Sequence, residues 1–390
     1  MRVTHVITRL IVGGAQENTV ASVLGLRRKP GLEVNLISGP SEGPEGSMEH
    51  CFAACPDALR IVPELVRPVR PWKDWLALRR LTSLFASEQP RLVHTHSGKA
   101  GVLGRLAAAR AGVPLIVHTI HGPSFGGFQG ALPNTLFRAA ERRAAKVTTH
   151  FVVVADAMKA QYLAADIGRP DQYTRVFSGF ALEPFLAATN DPQLRRQLGL
   201  APDDIVVGKI ARLFPLKGHN DLLAIAPELV RTCPKLKFLL VGDGKWRERF
   251  DRRIRALGLQ NHFVLTGLVQ PERVPALVGV MDLLTHLSSR EGLPRALPQA
   301  LAAGRPVIAY DCDGAGEVCL DNETGFLVQP GDLAGLRQRL LQLAEDPNLR
   351  RKLGEHGREF VRERFPVQRM VDDLHALYLR LTQHSEAATG

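Results

Sequence analysis

The chain has 390 residues, enough for two domains and too many for one ordinary hydrophobic core. Its 45% hydrophobic and 23% charged residues are typical of a globular protein and exclude disordered, collagen-like and disulfide-stabilised chains. The formal net charge of +11 favours a negatively charged partner: nucleotide phosphates, nucleic acid or an anionic membrane surface.

Cysteine usage and hydropathy indicate the compartment. The five cysteines form no CxxC pair, and the sequence contains no run of about 18 apolar residues. We therefore expect a protein of the reducing cytoplasm without a membrane-spanning segment.

The first half of the chain alternates short apolar runs with helical patterns. Strands are predicted at residues 3–8, 33–37, 91–94, 115–119, 149–154 and 173–177. Amphipathic helices are predicted between them, for example over residues 72–85 and 99–111. This alternation predicts a parallel sheet covered by helices on both faces.

The pattern then begins again in the second half. Further strands are predicted at residues 205–210, 237–241, 262–266, 283–286, 306–309 and 325–328. The sequence therefore predicts two Rossmann-like, doubly wound α/β domains, residues 1–180 and 181–366, facing each other across a cleft. A final helix over 367–384 is expected to cross back to the first domain, and residues 385–390 to form a disordered tail. Ligands bind beyond the carboxyl ends of parallel strands, so the cleft is the expected site.

A glycine pair, Gly13-Gly14, follows the first predicted strand and precedes a helix. Paired glycines allow close approach of the backbone to a ligand, and the helix N-terminus favours an anion there. The same pair also fits a simple tight turn, and both interpretations stay open.

Histidines cluster at the ends of two predicted strands. His94 and His96 share a strand face, so a metal site is conceivable, although no carboxylate completes it. A structural role remains the default for His94 and His118. His121, followed by Gly122, is better placed to contact a ligand in the cleft.

In the second domain, the turn after the first strand carries two cations. Arg212 and Lys217 bracket this turn, and Gly218 precedes the next helix. Both side chains can converge where the helix N-terminus already favours anions, an arrangement suited to a diphosphate leaving group.

A second informative segment is Glu291-Gly292-Leu293-Pro294, which is predicted to open a helix. Gln299 lies two helical turns beyond Glu291, on roughly the same face. Two polar side chains spaced in this way can hold two hydroxyl-bearing parts of one extended ligand, such as a sugar and a ribose.

The ordered set of these motifs resembles glycosyltransferase family 4, whose members are retaining enzymes of the glycosyltransferase-B fold. The resemblance covers nearly the whole chain and rests on the segments GGAQENTV, VHTHSGKAGVLGRLAA, HTIHG, ARLFPLKGH, LVGDG, FVLTGLV, SSREGLP, AGRPVIA and ETGFLV. It implies transfer of a sugar from a nucleotide-diphosphate donor with retention at the anomeric carbon. It also implies that no metal or other cofactor is needed.

The resemblance implies roles for individual residues. Arg212 and Lys217 match the pair that binds the donor diphosphate, and Glu291 matches the residue that contacts the donor sugar. Gly14 matches a glycine whose backbone closes on the donor, and His121 matches the histidine near the transferred sugar.

Two further segments match donor-binding positions of the family. Gly292, Leu293 and Pro294 correspond to the stretch near the sugar and phosphate, whereas Leu268 and Val269 correspond to backbone contacts with the base.

The sequence departs from the family pattern near the ribose. Gln299 replaces a glutamate and loses the charged hydrogen bond, which predicts lower nucleotide affinity. Pro298 is expected to remove one helical hydrogen bond and bend the helix.

The resemblance implies a hexosyl- or N-acetylhexosaminyl-type transferase, with UDP-sugar favoured as donor and a glycan or lipid-linked acceptor. A net charge of about +7 between Arg60 and Arg110 suggests contact with an anionic membrane surface, that is, a peripheral location at the inner face of the cell membrane. The alternative is that the helix predicted over residues 72–85, within this stretch, only covers the sheet.

Nucleic acid is not an expected partner, because the basic residues are not interleaved with aromatic ones. A sugar-nucleotide epimerase and a non-catalytic nucleotide-binding protein remain alternatives.

Overall fold

The computed structural model describes residues 1–43 and 46–387. The chain divides into two compact units, Met1–Phe180 with Val367–Gly390 and Ala181–Pro366. Each unit is a wound α/β domain with its own core.

The first unit is built on a parallel seven-stranded sheet in the order β3-β2-β1-β4-β5-β6-β7. Its strands are β1 (Arg2–Ile7), β2 (Glu33–Ser38), β3 (Leu59–Ile61), β4 (Leu92–His96), β5 (Leu115–Ile120), β6 (His150–Val153) and β7 (Tyr173–Arg175). Its first five helices are α1 (Gly14–Leu26), α2 (Pro71–Glu88), α3 (Gly98–Arg110), α4 (Ala131–Ala145) and α5 (Asp156–Leu163).

All six strands predicted for this half are confirmed to within three residues at each end, and the sheet has a seventh. The additional strand, β3, is three residues long and lies at the edge of the sheet, with Arg60 and Ile61 exposed. An edge strand buries few side chains, so it carries no apolar run that a sequence pattern could reveal.

The second unit contains a parallel six-stranded sheet in the order β10-β9-β8-β11-β12-β13. Its strands are β8 (Ile205–Ile210), β9 (Leu236–Val241), β10 (Phe263–Leu265), β11 (Leu283–His286), β12 (Val307–Tyr310) and β13 (Gly325–Val328), so all six predicted strands are confirmed. The helices are α6 (Glu183–Leu186), α7 (Pro192–Gln197), α8 (His219–Thr232), α9 (Arg247–Ala256), α10 (Val274–Gly279), α11 (Ala296–Ala302), α12 (Leu333–Glu345) and α13 (Pro347–Arg364).

The last helix, α14 (Val367–Ala387), packs against α1 of the first unit, as expected for a helix that crosses back. A Cβ on Gly25 of α1 would lie 2.3 Å from Cγ2 of Val371, so the absence of a side chain allows this close packing.

The predicted tail is wrong for residues 385–387, which continue α14, because neither glycine nor proline interrupts the helix before Gly390. Residues 388–390 lie outside the described part of the chain.

Alternating side chains of the first sheet face two separate cores. One face packs against α2 and α3 through Val6, Ile37, Val93 and Ile116. The other face packs against α1 and α14 through Val3, Ile7, Leu92, Leu115 and Val117. Burial on both faces explains why these strands are nearly continuous apolar runs.

In both sheets the strand order reverses between two neighbouring strands, β1 and β4 in the first unit and β8 and β11 in the second. The loops at the carboxyl ends of such strands diverge and leave a crevice where ligands bind in open α/β sheets. Within residues 1–43 and 46–387, no helix is long and apolar enough to cross a bilayer.

Candidate functional site

The loops that follow β8 and β11 meet at the carboxyl edge of the second sheet. The backbone N–H of Ser289 donates to the carbonyl oxygen of Leu216 at 2.9 Å, and the Ser288 hydroxyl donates to the same oxygen at 3.0 Å. Leu216 has a φ of +67°, a conformation that is costly for a branched residue and is held here by these bonds. The structure therefore joins two motifs that the sequence keeps far apart.

Gly218 makes this contact between the loops possible. Its φ is +64°, and a Cβ at this position would lie 2.0 Å from the carbonyl oxygen of Leu287. Glycine is thus needed here for two independent reasons, backbone conformation and space.

Lys217 and Glu291 form an ion pair between the two loops. Nε2 of the buried His286 lies 3.5 Å from the same carboxylate oxygen, Oε1 of Glu291. Burial alone would raise the pKa of Glu291, but the neighbouring His286 ring and the charge of Lys217 hold that pKa well below its usual range. Glu291 is therefore a carboxylate fixed beside the charge of Lys217, whereas burial lowers the pKa of His286.

The backbone around Glu291 is held in place by the loop that follows β12. The N–H of Glu291 donates to Oδ2 of Asp313 at 2.7 Å, and the N–H of Gly314 donates to the carbonyl oxygen of Gly292 at 3.0 Å. Asp313, which the sequence analysis did not identify, thus positions the Glu291 segment.

Arg212 lies in the same loop as Lys217 but is exposed, with its guanidinium carbon 5.1 Å from the centre of the Phe214 ring. Its carbonyl oxygen lies 3.0 Å from Nε2 of His219 in the first turn of α8. A carbonyl oxygen can only accept, so His219 carries a proton on Nε2. Burial lowers the pKa of His219 to about 3, which keeps this ring neutral.

The helix after the Glu291 segment begins later than predicted. Gly292, Leu293 and Pro294 are buried, and α11 begins at Ala296. Pro298 is therefore in the first turn, where N–H groups have no helical acceptor, and the expected loss of a helical hydrogen bond is wrong. Gln299 is partly exposed on α11.

Leu268 and Val269 follow the edge strand β10. The N–H of Gly242 donates to the carbonyl oxygen of Gly267 at 3.1 Å, which ties this loop to the one after β9. Leu268 is exposed and Val269 partly so. Both lie at the carboxyl end of the sheet, the end that also carries Arg212 and Lys217.

A buried lysine, Lys209, is an unexpected charge near this site. It lies in β8, between the buried Gly208 and the partly buried Ile210. Burial and the nearby charge of Lys217 lower the pKa of Lys209 to about 7, whereas Asp221 and Glu291 act in the opposite direction. A lysine inside an apolar strand run was the signal that could have identified it.

The first unit carries the other two predicted site residues. Gly14 is exposed at the start of α1, immediately after the loop that follows β1. His121 directly follows β5, and its Nε2 lies 3.0 Å from Nδ1 of His96. Burial lowers the pKa of His121 to about 4.

His5, His94 and His96 are buried side by side, each offering a ring nitrogen within 4.8 Å of the others. This proximity alone would allow a metal ion, as considered for His94 and His96. His5 was missed because a histidine within the apolar run of the first strand carries no spacing signal. His118 is buried separately, with Nδ1 2.9 Å from Oγ1 of Thr95.

The basic stretch from Arg60 to Arg110 is less charged at its surface than its composition suggests. Three of its cations pair with acidic side chains: Arg60 with Glu88, Lys99 with Asp74, and the buried Arg105 with Glu141. Ion pairing therefore neutralises part of the net charge of this stretch, although none of the three cations lies on α2, and contact with an anionic membrane surface stays a prediction.

The helix within this stretch, α2, both covers the sheet and leaves apolar side chains exposed. Phe85 is buried in the core, whereas Trp72 and Trp75 stack on each other at the surface and are 69% and 42% exposed. The buried side of α2 thus covers the sheet, whereas contact of its exposed side with a membrane stays a prediction.

Two protein-family models match the chain. Glycosyl transferase 4-like domain matches residues 13–178, and Glycosyl transferases group 1 matches residues 190–360. The Escherichia coli protein named UDP-Gal:alpha-D-GlcNAc-diphosphoundecaprenol alpha-1,3-galactosyltransferase is 28% identical over 387 residues, covering 97% of each chain. The capsular polysaccharide biosynthesis glycosyltransferase CapM of Staphylococcus aureus is 24% identical, covering 92% of this chain and 93% of CapM.

Among solved structures, Anabaena HepE in complex with UDP has a TM-score of 0.81 to this chain. The two chains are 21% identical, and the match covers 97% of this chain and 100% of HepE. At this level of identity the likeness concerns the fold, two Rossmann-like domains of the glycosyltransferase-B type.

Proposed function

The chain belongs to the glycosyltransferases that combine a 4-like domain with a group 1 domain, and from that premise we propose that it transfers a hexosyl unit from a UDP-sugar with retention. The E. coli relative, similar along its whole length, is named for a UDP-Gal donor and a diphosphoundecaprenol-linked acceptor. A donor of the same class and a lipid-linked or glycan acceptor are therefore proposed for this chain.

The observation that carries the proposal is the meeting of two loops at the carboxyl edge of the second sheet. There Lys217 and Glu291 are paired, and Arg212 extends from the same loop as Lys217. Two cations and the N-terminus of α8 provide an anion-binding subsite for a diphosphate. The carboxylate beside them can accept hydrogen bonds from sugar hydroxyls.

Bond breaking produces negative charge on the leaving diphosphate, so the cations act mainly in the transition state. In the proposed reaction the bond between the anomeric carbon and the phosphate oxygen breaks as the acceptor oxygen bonds to the same face of that carbon. The acceptor proton moves to the departing phosphate oxygen. Arg212 and Lys217 stabilise that oxygen, and no side chain serves as nucleophile.

The test measures transfer from a panel of nucleoside diphosphate sugars by wild type and two lysine variants. Lys217→Ala should lower kcat about 100-fold, the scale seen when one transition-state hydrogen-bond donor is removed. Lys235→Ala is the matched control, since Lys235 also pairs with a carboxylate, Asp203, but is exposed elsewhere in the same unit. Full activity of Lys217→Ala would exclude the proposed role of Lys217.

Product analysis of the same reactions decides among the remaining activities. Release of UDP with a sugar joined to the acceptor in the same anomeric configuration as in the donor supports retaining transfer. A sugar altered without any acceptor would instead identify an epimerase, and binding without turnover would identify a non-catalytic protein.

A membrane-facing surface for a lipid-linked acceptor is proposed on the first unit. On α2 the exposed Trp72 and Trp75 stack on each other, and the exposed Arg79 lies over the Trp75 ring, whereas on α4 Leu132 is 72% exposed. Both helices pack against α3, so they lie on the same side of the sheet. Apolar side chains beside cations are typical of surfaces that bind anionic lipid.

Pelleting with vesicles tests this surface. Wild type should pellet with phosphatidylcholine vesicles that contain phosphatidylglycerol, and not with phosphatidylcholine alone. Trp72→Ala/Trp75→Ala should weaken pelleting about tenfold, whereas Leu379→Ala, an exposed apolar residue of α14 over the other sheet face, should not change it. Equal pelleting of all three proteins would exclude this surface.

A further inference from the structure

A chain of hydrogen bonds runs through the core of the first unit from Thr119 to Tyr378. Oγ1 of Thr119 lies 2.6 Å from Nε2 of His94, and Nδ1 of His94 lies 2.5 Å from the hydroxyl oxygen of Tyr378. Tyr378 belongs to α14, so the C-terminal helix supplies a link between side chains of the sheet. All three residues are buried.

The chain continues from Tyr378 to His121. The Tyr378 hydroxyl oxygen lies 3.2 Å from Nε2 of His5, and Nδ1 of His5 lies 2.9 Å from Nε2 of His96. Nδ1 of His96 in turn lies 3.0 Å from Nε2 of His121. Five consecutive contacts thus connect Thr119 to the histidine matched to the transferred sugar.

In a chain of neutral histidines, every hydrogen bond is donated in the same direction along the chain. Each neutral imidazole has one N–H donor and one acceptor nitrogen, and the tyrosine hydroxyl donates once. A ring that accepts on one side must therefore donate on the other, and the buried Tyr378 hydroxyl does the same because its proton needs an acceptor. Burial keeps the rings neutral, lowering the pKa of His5 to about 3 and the pKa values of His94 and His96 well below the ordinary value.

Thr119 determines in which direction hydrogen bonds are donated along the chain from Thr119 to His121. Its hydroxyl is buried, and among the described residues its hydrogen-bond partner is Nε2 of His94. A buried hydroxyl proton without an acceptor is costly, so Thr119 donates and Nε2 of His94 accepts. His94 then donates from Nδ1 to Tyr378, and the same logic carries through the remaining members.

We infer that this chain holds His121 in the tautomer protonated on Nδ1, and that Tyr378 is a positioning residue for sugar transfer. Following the direction from Thr119, Tyr378 donates to His5, His5 donates to His96, and His96 donates to Nε2 of His121. Nδ1 of His121 is left as a hydrogen-bond donor, suited to an oxygen of a sugar or phosphate. This inference rests on the proposed place of His121 near the transferred sugar.

The same contacts argue against a metal ion at this cluster. All six ring nitrogens of His5, His94 and His96 already have a hydrogen-bond partner, and the nitrogens of His5 and His96 are 2.9 Å apart. A bound metal would need a lone pair from each ring pointing at one centre, which these hydrogen bonds prevent.

Nitrogen NMR of histidine-labelled full-length protein tests the tautomer directly, and His121→Gln identifies the signals of His121. Wild type should show His121 protonated on Nδ1 alone. Tyr378→Phe and Thr119→Val each break the chain, so they should leave His121 a mixture of both tautomers. Tyr173→Phe removes the same atom from another buried tyrosine, which donates to Ile167, and should leave the tautomer unchanged.

Kinetics provide the second measurement. Tyr378→Phe should lower kcat about two- to tenfold with an unchanged KM for the donor. Only a fraction of the molecules would then hold His121 protonated on Nδ1, the tautomer that the inference assigns to transfer. Three results would overturn the inference: a wild-type His121 protonated on Nε2, an unchanged tautomer in Tyr378→Phe, or stoichiometric Zn²⁺ binding that requires His5. A changed tautomer with unchanged kcat would remove the positioning role while leaving glycosyl transfer itself intact.

Discussion

The ammonium group of Lys217 donates a hydrogen bond to Oε1 of Glu291, a residue 74 positions further along the chain. Each side chain is about a quarter exposed, at 21% and 24%, so the pair is only partly screened by water. One contact therefore couples the loop after β8 to the loop after β11, and it does so between the two groups proposed to hold the diphosphate and the sugar.

This coupling predicts a stability effect that is not additive. Lys217→Met should lower the free energy of unfolding by about 1–3 kcal/mol, because Glu291 loses its charged donor while it stays partly buried. Adding Glu291→Gln should recover part of that loss. Urea denaturation of both single variants and the double variant gives the coupling energy, and strictly additive losses would contradict direct pairing.

Gly218→Ala is expected to disturb the contact between the same loops. Its Cβ would collide with the carbonyl oxygen of Leu287 and would also require an alanine at φ +64°. Gly258→Ala is a close control, since Gly258 has a φ of +69° and, among the described residues, no atom within 4 Å of the place that a Cβ would occupy. The control should lose about 1 kcal/mol from backbone strain alone, and Gly218→Ala at least about 2 kcal/mol more.

Both variants are compared by urea denaturation and by transfer activity. We expect kcat to fall in Gly218→Ala and to stay near wild type in Gly258→Ala. Equal losses of stability in the two variants would mean that Leu287 moves away without cost.

The sequence predicted those parts of the fold that local patterns determine. Strands such as β12 and β13 are apolar on both faces, so their composition alone identifies them. Lys217 and Glu291 come together because they follow β8 and β11, neighbouring strands of the parallel sheet that end at the same edge, whereas their roles in binding a donor stay predictions. The edge strand β3 was missed because it buries too little to leave a pattern.

What the sequence could not predict were contacts that depend on register and on distant elements. The pairing of His94 with Tyr378 joins residues 284 positions apart, through a helix whose register on α1 no local pattern sets. Pro298 was misjudged for a related reason, because its effect depends on where α11 begins, and helix boundaries are the least predictable feature of a fold.

The buried pair Arg105–Glu141 predicts a large stability effect of its own. Nη2 of Arg105 donates to Oε2 of Glu141 at 2.5 Å, and the Ser124 hydroxyl donates to the other carboxylate oxygen at 3.1 Å. Arg105→Met should lower the free energy of unfolding by about 3–5 kcal/mol, because it leaves a buried carboxylate without its counter-charge. Arg105→Met/Glu141→Leu should recover most of this loss, and a double variant as unstable as the single one would contradict the account.

The buried histidines of the first unit predict a stability that falls steeply in mild acid. Burial lowers the pKa of His5 to about 3 and of His121 to about 4, and it lowers the pKa of His118 well below 6.5. Below pH 6.5 the unfolded chain binds protons that the folded chain does not, so the stability present above pH 6.5 is lost as the pH falls. Each such histidine contributes a slope of about 1.4 kcal/mol per pH unit.

His118→Asn tests this slope while keeping a donor for Thr95 in place of Nδ1. The free energy of unfolding of the first unit, followed by amide hydrogen exchange in β4 and β5, should fall less steeply between pH 6 and pH 4.5 in this variant, by about 1.4 kcal/mol per unit. His384→Asn, which changes an exposed histidine of α14, should retain the wild-type slope. Identical slopes in all three proteins would show that His118 accepts a proton in the folded state, contrary to its burial.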